Sequence, residues 1–235
     1  MNVGGPGIGR ICVSIAAPHG TALLAAAAPI IDLVDVVEIR LDALVDPDIG
    51  ACIAALAKPV LVTNRPIWEG GQWQGSEEGR IALLEQCLLW GAHWVDIELR
   101  TEPELLQRVR RLAHQRDAQL IVSSHDFKAT PDSGQLHGLV ESIRQAGADI
   151  GKIVTTAASS LDALRVLHLQ EQAAESGLPL IAFAMGKLGA ITRLSTLYLG
   201  GYMTYVALSR EQATAPGQLT LREMHGLIER LTEAT

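Results

Sequence analysis

Short apolar runs with strand-like character recur along the whole chain, and segments of helical composition separate them. The runs predict strands at residues 11–16, 36–41, 60–64, 94–99, 120–124, 150–155, 180–185 and 204–208. Segments rich in Ala, Leu, Glu, Gln and Arg predict helices between them, among others at residues 77–90, 102–116, 161–175 and 221–231. Repetition of a strand followed by a helix predicts an α/β fold, a (β/α)₈ TIM barrel. An open doubly wound sheet is the structural alternative, but it usually has fewer repeats and a glycine-rich dinucleotide turn.

The glycines near the amino terminus do not form such a turn. Residues 4–9 read Gly-Gly-Pro-Gly-Ile-Gly and precede the first predicted strand, whereas a dinucleotide-binding turn follows its strand. Residues 1–10 are therefore predicted to be a flexible leader. The rest of the chain contains no linker, low-complexity tract or shift in composition, so residues 11–235 are predicted to form one barrel domain.

Polar residues share one face of neighbouring predicted strands. Because alternate residues of a strand face opposite sides, Val37, Ile39 and Leu41 form an apolar set suited to contact with helices, and Glu38 and Arg40 lie on the other face. The same parity continues through the sixth strand and collects polar groups near the carboxyl ends, where barrels of this kind place active sites. The side chains predicted to share a pocket are Glu38, Arg40, Arg65, Asp96, Glu98, His125 and Lys152.

Lys152 is the most informative of these residues, because it interrupts a segment that otherwise reads as a buried strand. Desolvating an ammonium group is costly, and burial favours the free amine that can attack a carbonyl group. His125 ends the preceding strand and could move protons during such a reaction. A lysine that merely caps the strand or extends to solvent is the alternative interpretation.

Three arginines suggest that the molecule that would react with Lys152 is an anion. Arg40, Arg65 and Arg193 could bind a carboxylate or phosphate through paired hydrogen bonds, and an ion pair at the barrel rim is the alternative for each. Arg193 follows a glycine-rich turn after the seventh strand, whose N–H groups could also hold an anion. Glu38 and Gln218 could bind hydroxyl groups.

Composition and charge disfavour several classes of protein function. The 235-residue chain carries a net charge of −7, which disfavours a general nucleic-acid binder. It has no signal-peptide pattern and no apolar stretch long enough to span a membrane, so we expect a cytoplasmic protein. Its three cysteines form no CxxC pair, and its histidines show no paired spacing typical of metal ligands, so no metal is expected.

Several motifs in fixed order resemble type I 3-dehydroquinate dehydratase, the imine-forming enzyme of the shikimate pathway, which leads to chorismate and the aromatic amino acids. The resemblance spans residues 11–223, nearly the whole chain. The motifs are Val-Glu-Ile-Arg-Leu-Asp at 37–42, Thr-Asn-Arg-Pro at 63–66 with Glu-Gly-Gly at 69–71, Asp-Ile-Glu-Leu at 96–99, Ser-His-Asp-Phe at 124–127, Lys-Ile-Val at 152–154, Ala-Met-Gly at 184–186 with Arg193, and Ala-Pro-Gly-Gln at 215–218.

The resemblance implies a role for each matching residue. Lys152 would form the imine with the substrate ketone, His125 would be the general acid and base, and Glu69 would orient and tune His125, with assistance from Asp96. The implied substrate-binding residues are Ser14, Glu38, Ile39, Arg40, Arg65, Arg193, Thr214 and Gln218. The implied reaction converts 3-dehydroquinate to 3-dehydroshikimate without a cofactor, beneath a lid formed by residues 213–220. Members of the family are commonly homodimers.

The chain departs from the family pattern at a few places. Ile39 stands where an aromatic residue is common, and Thr214 replaces a serine. The leader is too short for the strand pair that often closes the bottom of this barrel. Two alternative functions share some of these features: a class I aldolase, which also uses a Schiff-base lysine but usually needs a phosphate site, and a ligand-binding barrel without catalytic activity.

Overall fold

A computed structural model describes residues 8–233 and shows a nearly closed barrel of parallel strands alternating with helices, which confirms the predicted single-domain (β/α)₈ fold. Within the described residues the strands are β1 Arg10–Ile15, β2 Val36–Arg40, β3 Val60–Thr63, β4 Trp94–Glu98, β5 Gln119–His125, β6 Ile150–Thr156, β7 Leu180–Met185 and β8 Met203–Val206. All eight predicted strands are present, and their ends differ from the prediction by no more than two residues.

Helices follow the strands around the outside of the barrel. They are α1 Gly20–Ala27, α2 Gly50–Ala55, α3 Glu77–Leu89, α4 Pro103–Gln115, α5 Ser133–Gln145, α6 Ser160–Ser176, α7 Ala190–Tyr198 and α8 Leu221–Glu233. Side chains that cap free N–H groups fix several helix starts. Asp132 and Ser159 each form a reciprocal capping box, and the Ser76 hydroxyl accepts from the Gly79 N–H at 3.1 Å.

Strand pairing runs continuously from β7 through β1 to β8. The parallel register places Ser14 beside Glu38 and Ser123 beside Lys152. At the seam between β7 and β8 the Tyr202 N–H donates to the Leu180 carbonyl at 2.8 Å. Because every strand runs in the same direction, all carboxyl ends open at one end of the barrel.

Two separate apolar clusters confirm the predicted parity of the strands. The larger cluster joins strands to helices and contains Val37 and Ile39 of β2 and Ile153 of β6. The smaller one fills the barrel interior, with Val36 of β2 and Val154 of β6 among its members. Interior positions towards the carboxyl ends carry polar side chains instead, so the barrel core stops below a polar pocket.

The amino-terminal end of the barrel carries a cluster of aromatic and polar side chains. Gln119 Oε1 accepts from Trp94 Nε1 at 2.9 Å and from the Tyr202 hydroxyl at 3.3 Å, and the Arg10 guanidinium lies 4.4 Å from the centre of the Tyr202 ring. Of the predicted leader, residues 1–7 lie outside the described part of the chain, and Arg10 already belongs to β1. Between residues 8 and 233 no helix has both the length and the apolar character that crossing a membrane requires.

Candidate active site

A pocket at the carboxyl ends of the strands collects most of the predicted site residues. Its polar lining comes from Glu38, Arg40, Thr63, Arg65, Glu69, His125, Lys152, Arg193, Thr214 and Gln218. Its apolar lining includes Phe127, Val154, Phe183, Met185 and Tyr205. The pocket therefore combines a wall for a carbon skeleton with charged groups for polar substituents.

Lys152 is buried in β6 and is held by two neighbours. Its Nζ donates to Asp96 Oδ2 at 2.8 Å and lies 4.0 Å from the centre of the Tyr205 ring. Burial would raise the pKa of Asp96, but the charges of Arg65 and Lys152 outweigh burial and hold that pKa well below its usual range. Lys152 thus faces an ionised carboxylate and lines the pocket.

His125 and Glu69 form a hydrogen-bonded pair. The Nδ1 atom of His125 lies 3.0 Å from Glu69 Oε2, which leaves Nε2 available to a molecule in the pocket. Burial and the charges of Arg65 and Lys152 lower the pKa of His125 well below its usual value, so the imidazole is neutral at neutral pH. The ring of Phe127 stacks beside the imidazole at 6.2 Å between centroids. A neutral, oriented imidazole is suited to general acid–base catalysis.

The loop that carries Glu69 depends on a close backbone approach. Gly71 donates its N–H to the Pro66 carbonyl at 2.9 Å, and a Cβ atom on Gly71 would lie 1.9 Å from the Arg65 carbonyl oxygen. Gly70 has a φ of 77°, a left-handed conformation that glycine adopts at little cost. The Glu-Gly-Gly sequence is therefore required to bring Glu69 under His125.

The Arg65 guanidinium donates to carboxylates of the protein. Its guanidinium binds Asp96 at 2.9 Å, Glu98 at 2.5 Å and Glu69 at 3.4 Å. Burial alone would lower the pKa of Arg65, but these three carboxylates raise it above its ordinary value. Arg65 consequently compensates the buried acidic groups. It also lines the pocket, and its contact with an anionic substrate stays a prediction.

Arg193 differs from Arg65 because its charge is not paired with a carboxylate in the described part of the chain. Its side chain is buried and, within residues 8–233, forms no ion pair; Nη2 donates weakly to the Pro216 carbonyl at 3.4 Å, and Nε has no partner. The guanidinium lies 4.4 Å from the centre of the Phe183 ring, and burial lowers its pKa to about 10. A buried cation with unused donors that lines a pocket is a suitable partner for a carboxylate.

Glu38 is linked to the predicted lid through Ser14. Glu38 accepts from the Ser14 hydroxyl and, at 2.8 Å, from Thr63 Oγ1. Ser14 lies behind Glu38 and outside the pocket lining, and its hydroxyl oxygen is 3.4 Å from that of Thr214. Gln218 Oε1 accepts from the Thr214 N–H at 2.8 Å, so a hydrogen bond connects two residues of the predicted lid. Both residues also line the pocket.

Two predicted binding residues have different surroundings from those expected. Arg40 lines the pocket, but Nε and Nη2 both donate to Asp42, at 2.9 and 2.7 Å. Ile39 is fully buried in the cluster between the strands and the helices. Because neighbours in a strand point to opposite faces, its side chain cannot reach the pocket that Glu38 and Arg40 line. The Ile39 side chain is thus directed away from the pocket, and substrate binding at this position stays a prediction.

Some residues of the site were not singled out from the sequence. Tyr205 and Phe183 line the pocket from β8 and β7, and extending the parity argument to these strands would have identified them. Arg80 is fully buried on α3 and donates from Nη1 to Glu98 at 2.5 Å. Its signal in the sequence is an arginine on the apolar side of a helix, next to Ile81 and one turn before Leu84.

Comparison with known proteins agrees with this architecture. The family model for type I 3-dehydroquinase matches residues 11–234. The 3-dehydroquinate dehydratase of Desulfotalea psychrophila is 44% identical over 221 residues, which cover 94% of this chain and 97% of that protein. The 3-dehydroquinate dehydratase of Methanosarcina barkeri is 37% identical over 206 residues, which cover 84% of this chain and 85% of that protein.

A solved structure extends the similarity to three dimensions. The crystal structure of 3-dehydroquinate dehydratase from Geobacillus kaustophilus superposes with a TM-score of 0.85 at 30% identity, covering 96% of this chain and 91% of that one. The structural similarity therefore extends over nearly the whole chain. On these grounds the chain belongs to the type I 3-dehydroquinase family.

Proposed function

We propose that this protein dehydrates 3-dehydroquinate to 3-dehydroshikimate, a lyase step of the shikimate pathway, through an imine on Lys152. The observation that carries the proposal is the shared pocket of a buried lysine and a neutral, carboxylate-bound histidine in a member of this family. Family membership disfavours the aldolase and the ligand-binding barrel as alternatives.

The first chemical step forms the imine. Nζ of Lys152, after loss of a proton, attacks the ketone carbon, and the carbonyl oxygen leaves as water, which produces an iminium ion. Asp96 remains ionised beside Nζ and stabilises the positive charge of the iminium as it stabilised that of the ammonium. The iminium withdraws electrons and acidifies the neighbouring C–H bond.

The next steps transfer protons through His125. Nε2 accepts the acidic proton from the carbon next to the iminium, and the electron pair forms a neutral enamine. As the enamine returns its electrons, the C–O bond of the departing hydroxyl breaks, and His125 gives its proton to that oxygen, which leaves as water. Hydrolysis of the product iminium releases 3-dehydroshikimate and restores Lys152.

The remaining residues bind and enclose the substrate. Arg193 has donors available for the substrate carboxylate, and Glu38 could accept from a ring hydroxyl. Thr214, Ala215 and Gln218 line the pocket from the predicted lid, which limits access of water to the iminium. Incubation of the purified protein with 3-dehydroquinate tests the proposal directly, since the conjugated product absorbs in the ultraviolet and the substrate does not.

Replacement of Arg193 should weaken substrate binding without lowering the thermal stability of the protein. In Arg193→Met we expect KM for 3-dehydroquinate to rise about 100-fold, because a charge-assisted pair of hydrogen bonds is lost. We expect Tm to stay constant or to rise, because the substitution removes a buried cation that no carboxylate within residues 8–233 compensates. Initial-rate kinetics and a thermal scan measure the two quantities.

The matched control for this prediction is Arg144→Met on α5. Arg144 is exposed and pairs with Glu141, so its removal should leave both KM and Tm close to the wild-type values. A KM for Arg193→Met within threefold of wild type would contradict the assignment of Arg193 as the carboxylate-binding residue.

Two further expectations from the sequence stay predictions. The homodimer implied by the family resemblance is tested by light scattering of the purified protein across a range of concentrations. The cytoplasmic location is tested by fractionation of cells that express the full chain.

A further inference from the structure

A continuous chain of buried charges connects α3 to the His125 imidazole. Arg80 Nη1 donates to Glu98 Oε2 at 2.5 Å, and the other oxygen of Glu98 accepts from Arg65 Nη1 at 2.5 Å. Arg65 Nη1 also reaches Glu69 Oε2, the atom that binds His125. Arg80 and Glu98 are both fully buried, and neither lines the pocket. They are therefore connected to the reacting groups only through other side chains.

The contacts of Arg65 Nη1 are in competition. This nitrogen carries two hydrogens, yet three acceptors lie around it: Glu98 Oε1 at 2.5 Å, Ser123 Oγ at 2.8 Å and Glu69 Oε2 at 3.4 Å. The contact to Glu69 is the longest, beyond the usual range for a charge-assisted hydrogen bond. Glu98 and Ser123 thus hold the two hydrogens, and of these two acceptors Glu98 is the charged one that competes with Glu69.

Arg80 fixes Glu98 in the position that allows this competition. Its guanidinium is anchored on four sides, by Glu77, Glu98, the Asn64 carbonyl at 3.1 Å and Thr101 Oγ1 at 2.9 Å. The two carboxylate oxygens of Glu98 are bound to two different arginines, Arg80 and Arg65. Because Arg80 is itself anchored, the Glu98 side chain has little freedom to move. The side chain of Glu98 is consequently a rigid spacer between α3 and Arg65.

We propose that Glu98, anchored by Arg80, is a positioning residue that holds Arg65 away from Glu69 and thereby sets the pH at which the Glu69–His125 pair becomes a base. The inference rests on the proposed function, in which His125 removes a proton from the substrate imine. It assigns a task to two buried residues that the chemical steps do not use directly.

The charges around the pair determine the direction of the effect. Burial raises the pKa of Glu69 to about 8; Arg65 opposes this shift, whereas Glu98 and Asp96 add to it. For His125, the second member of the pair, burial lowers the pKa most. The charges of Arg65, Lys152 and Arg40 lower it further. The two groups share one proton and titrate as a unit.

The protonation of Glu69 decides which histidine nitrogen can act. When Glu69 is protonated, it donates to Nδ1, and the ring proton resides on Nε2, which then cannot accept a proton. When Glu69 is ionised, it accepts from Nδ1–H, and Nε2 is a free base. We therefore expect kcat/KM of the wild-type protein to rise with pH as the pair loses its proton, with the midpoint near the pKa of about 8.

Glu98→Gln tests the inference. The substituted side chain lacks the negative charge that repels Glu69, and its amide cannot accept from both arginines, so Arg65 is released towards Glu69. Both changes favour ionised Glu69. The acid limb of the kcat/KM profile should move to lower pH by about one unit, the usual order for a charge gained at this distance.

Glu77→Gln is the matched control. Glu77 binds the same arginine, through Arg80 Nε at 2.9 Å and Nη2 at 2.7 Å, but lies at the partly exposed end and does not touch Arg65. Its replacement should leave the acid limb unmoved. An equal shift in Glu77→Gln and Glu98→Gln would overturn the inference, because it would indicate a general effect of weakening Arg80.

A second readout does not require turnover. Nitrogen-15 NMR of the His125 ring in the substrate-free protein reports its tautomer, and in Glu98→Gln the change from Nε2–H to Nδ1–H should occur at lower pH than in wild type. A folded Glu98→Gln variant with unmoved rate profile and unmoved ring titration would overturn the inference. A wild-type protein without dehydratase activity would instead contradict the proposed function, and the ring titration would still test the role of Glu98.

Glu98→Asp keeps the test available if the glutamine variant does not fold. The aspartate retains the buried charge for Arg80, but its side chain is one methylene shorter and cannot approach Arg65 as closely. Arg65 is partly released, so the acid limb should move in the same direction by a smaller amount. An unchanged limb in a folded Glu98→Asp variant would contradict the proposed competition.

Discussion

Lys152→Ala is expected to reduce kcat for 3-dehydroquinate by at least about 10⁵-fold, the order of loss seen when a catalytic nucleophile is removed. Without Nζ no imine forms, and the C–H bond next to the ketone is not acidified. The fold should survive, because Asp96 keeps its hydrogen bonds from Arg65 at 2.9 Å and from Ser123 at 2.6 Å after its lysine partner is lost. Steady-state kinetics and far-ultraviolet circular dichroism measure the two effects.

Lys58→Ala is the control for this substitution. Lys58 precedes β3 and lies at the opposite end of the barrel from the pocket, so its loss should not change kcat. Steady-state turnover by folded Lys152→Ala within 100-fold of wild type would contradict a mechanism that depends on the imine.

His125→Ala is expected to lower kcat by about 10²- to 10⁴-fold, the usual contribution of a general acid–base group. The lysine and its Asp96 partner are unaffected, so the imine should still form and accumulate, because the next proton transfer is slow. Borohydride reduction in the presence of substrate should therefore label this variant to at least the wild-type extent, whereas product absorbance appears slowly.

His168→Ala provides the comparison, because His168 is an exposed histidine on α6. It should behave as wild type in both assays. If His125→Ala turned over substrate at a rate near that of wild type, His125 could not be the proton carrier. If it failed to form the imine, its main task would be in the first step and not in elimination.

The sequence was sufficient to predict the barrel and most of the pocket. Strand and helix alternation predicted every strand, and parity within the strands assigned Glu38, His125 and Lys152 to one side of them. This succeeded because a closed parallel barrel imposes the same two-residue period on every strand and places all carboxyl ends together.

Pairing among charged residues could not be predicted in the same way. Parity places Arg65, Asp96 and Glu98 near each other, but which of their many possible contacts form depends on distances of an ångström or less. The sequence therefore suggested that Arg65 binds substrate, which stays a prediction, but it did not reveal the three carboxylates that the Arg65 guanidinium binds. Arg80 was overlooked because a helix arginine is normally solvated, and its burial depends on Glu98 in a separate strand.

Ile39 is a position where the family resemblance and strand parity lead to different expectations. Its position matched a residue that the family associates with the substrate, while its parity assigned it to the outer face of β2. The structure agrees with the parity, because the apolar side chain is fully buried against the helices. Strand parity therefore predicted the direction of this side chain, and substrate binding at position 39 stays a prediction.

The imine on Lys152 is the central claim, and borohydride trapping tests it most directly. The wild-type protein is treated with sodium borohydride with and without 3-dehydroquinate, digested and mapped by mass spectrometry, while an untreated sample is followed for product absorbance. We predict a substrate-dependent mass increase on the peptide that contains Lys152, its absence from Lys152→Ala, and formation of 3-dehydroshikimate in the untreated sample. Product formation without any adduct on Lys152 would contradict the imine mechanism.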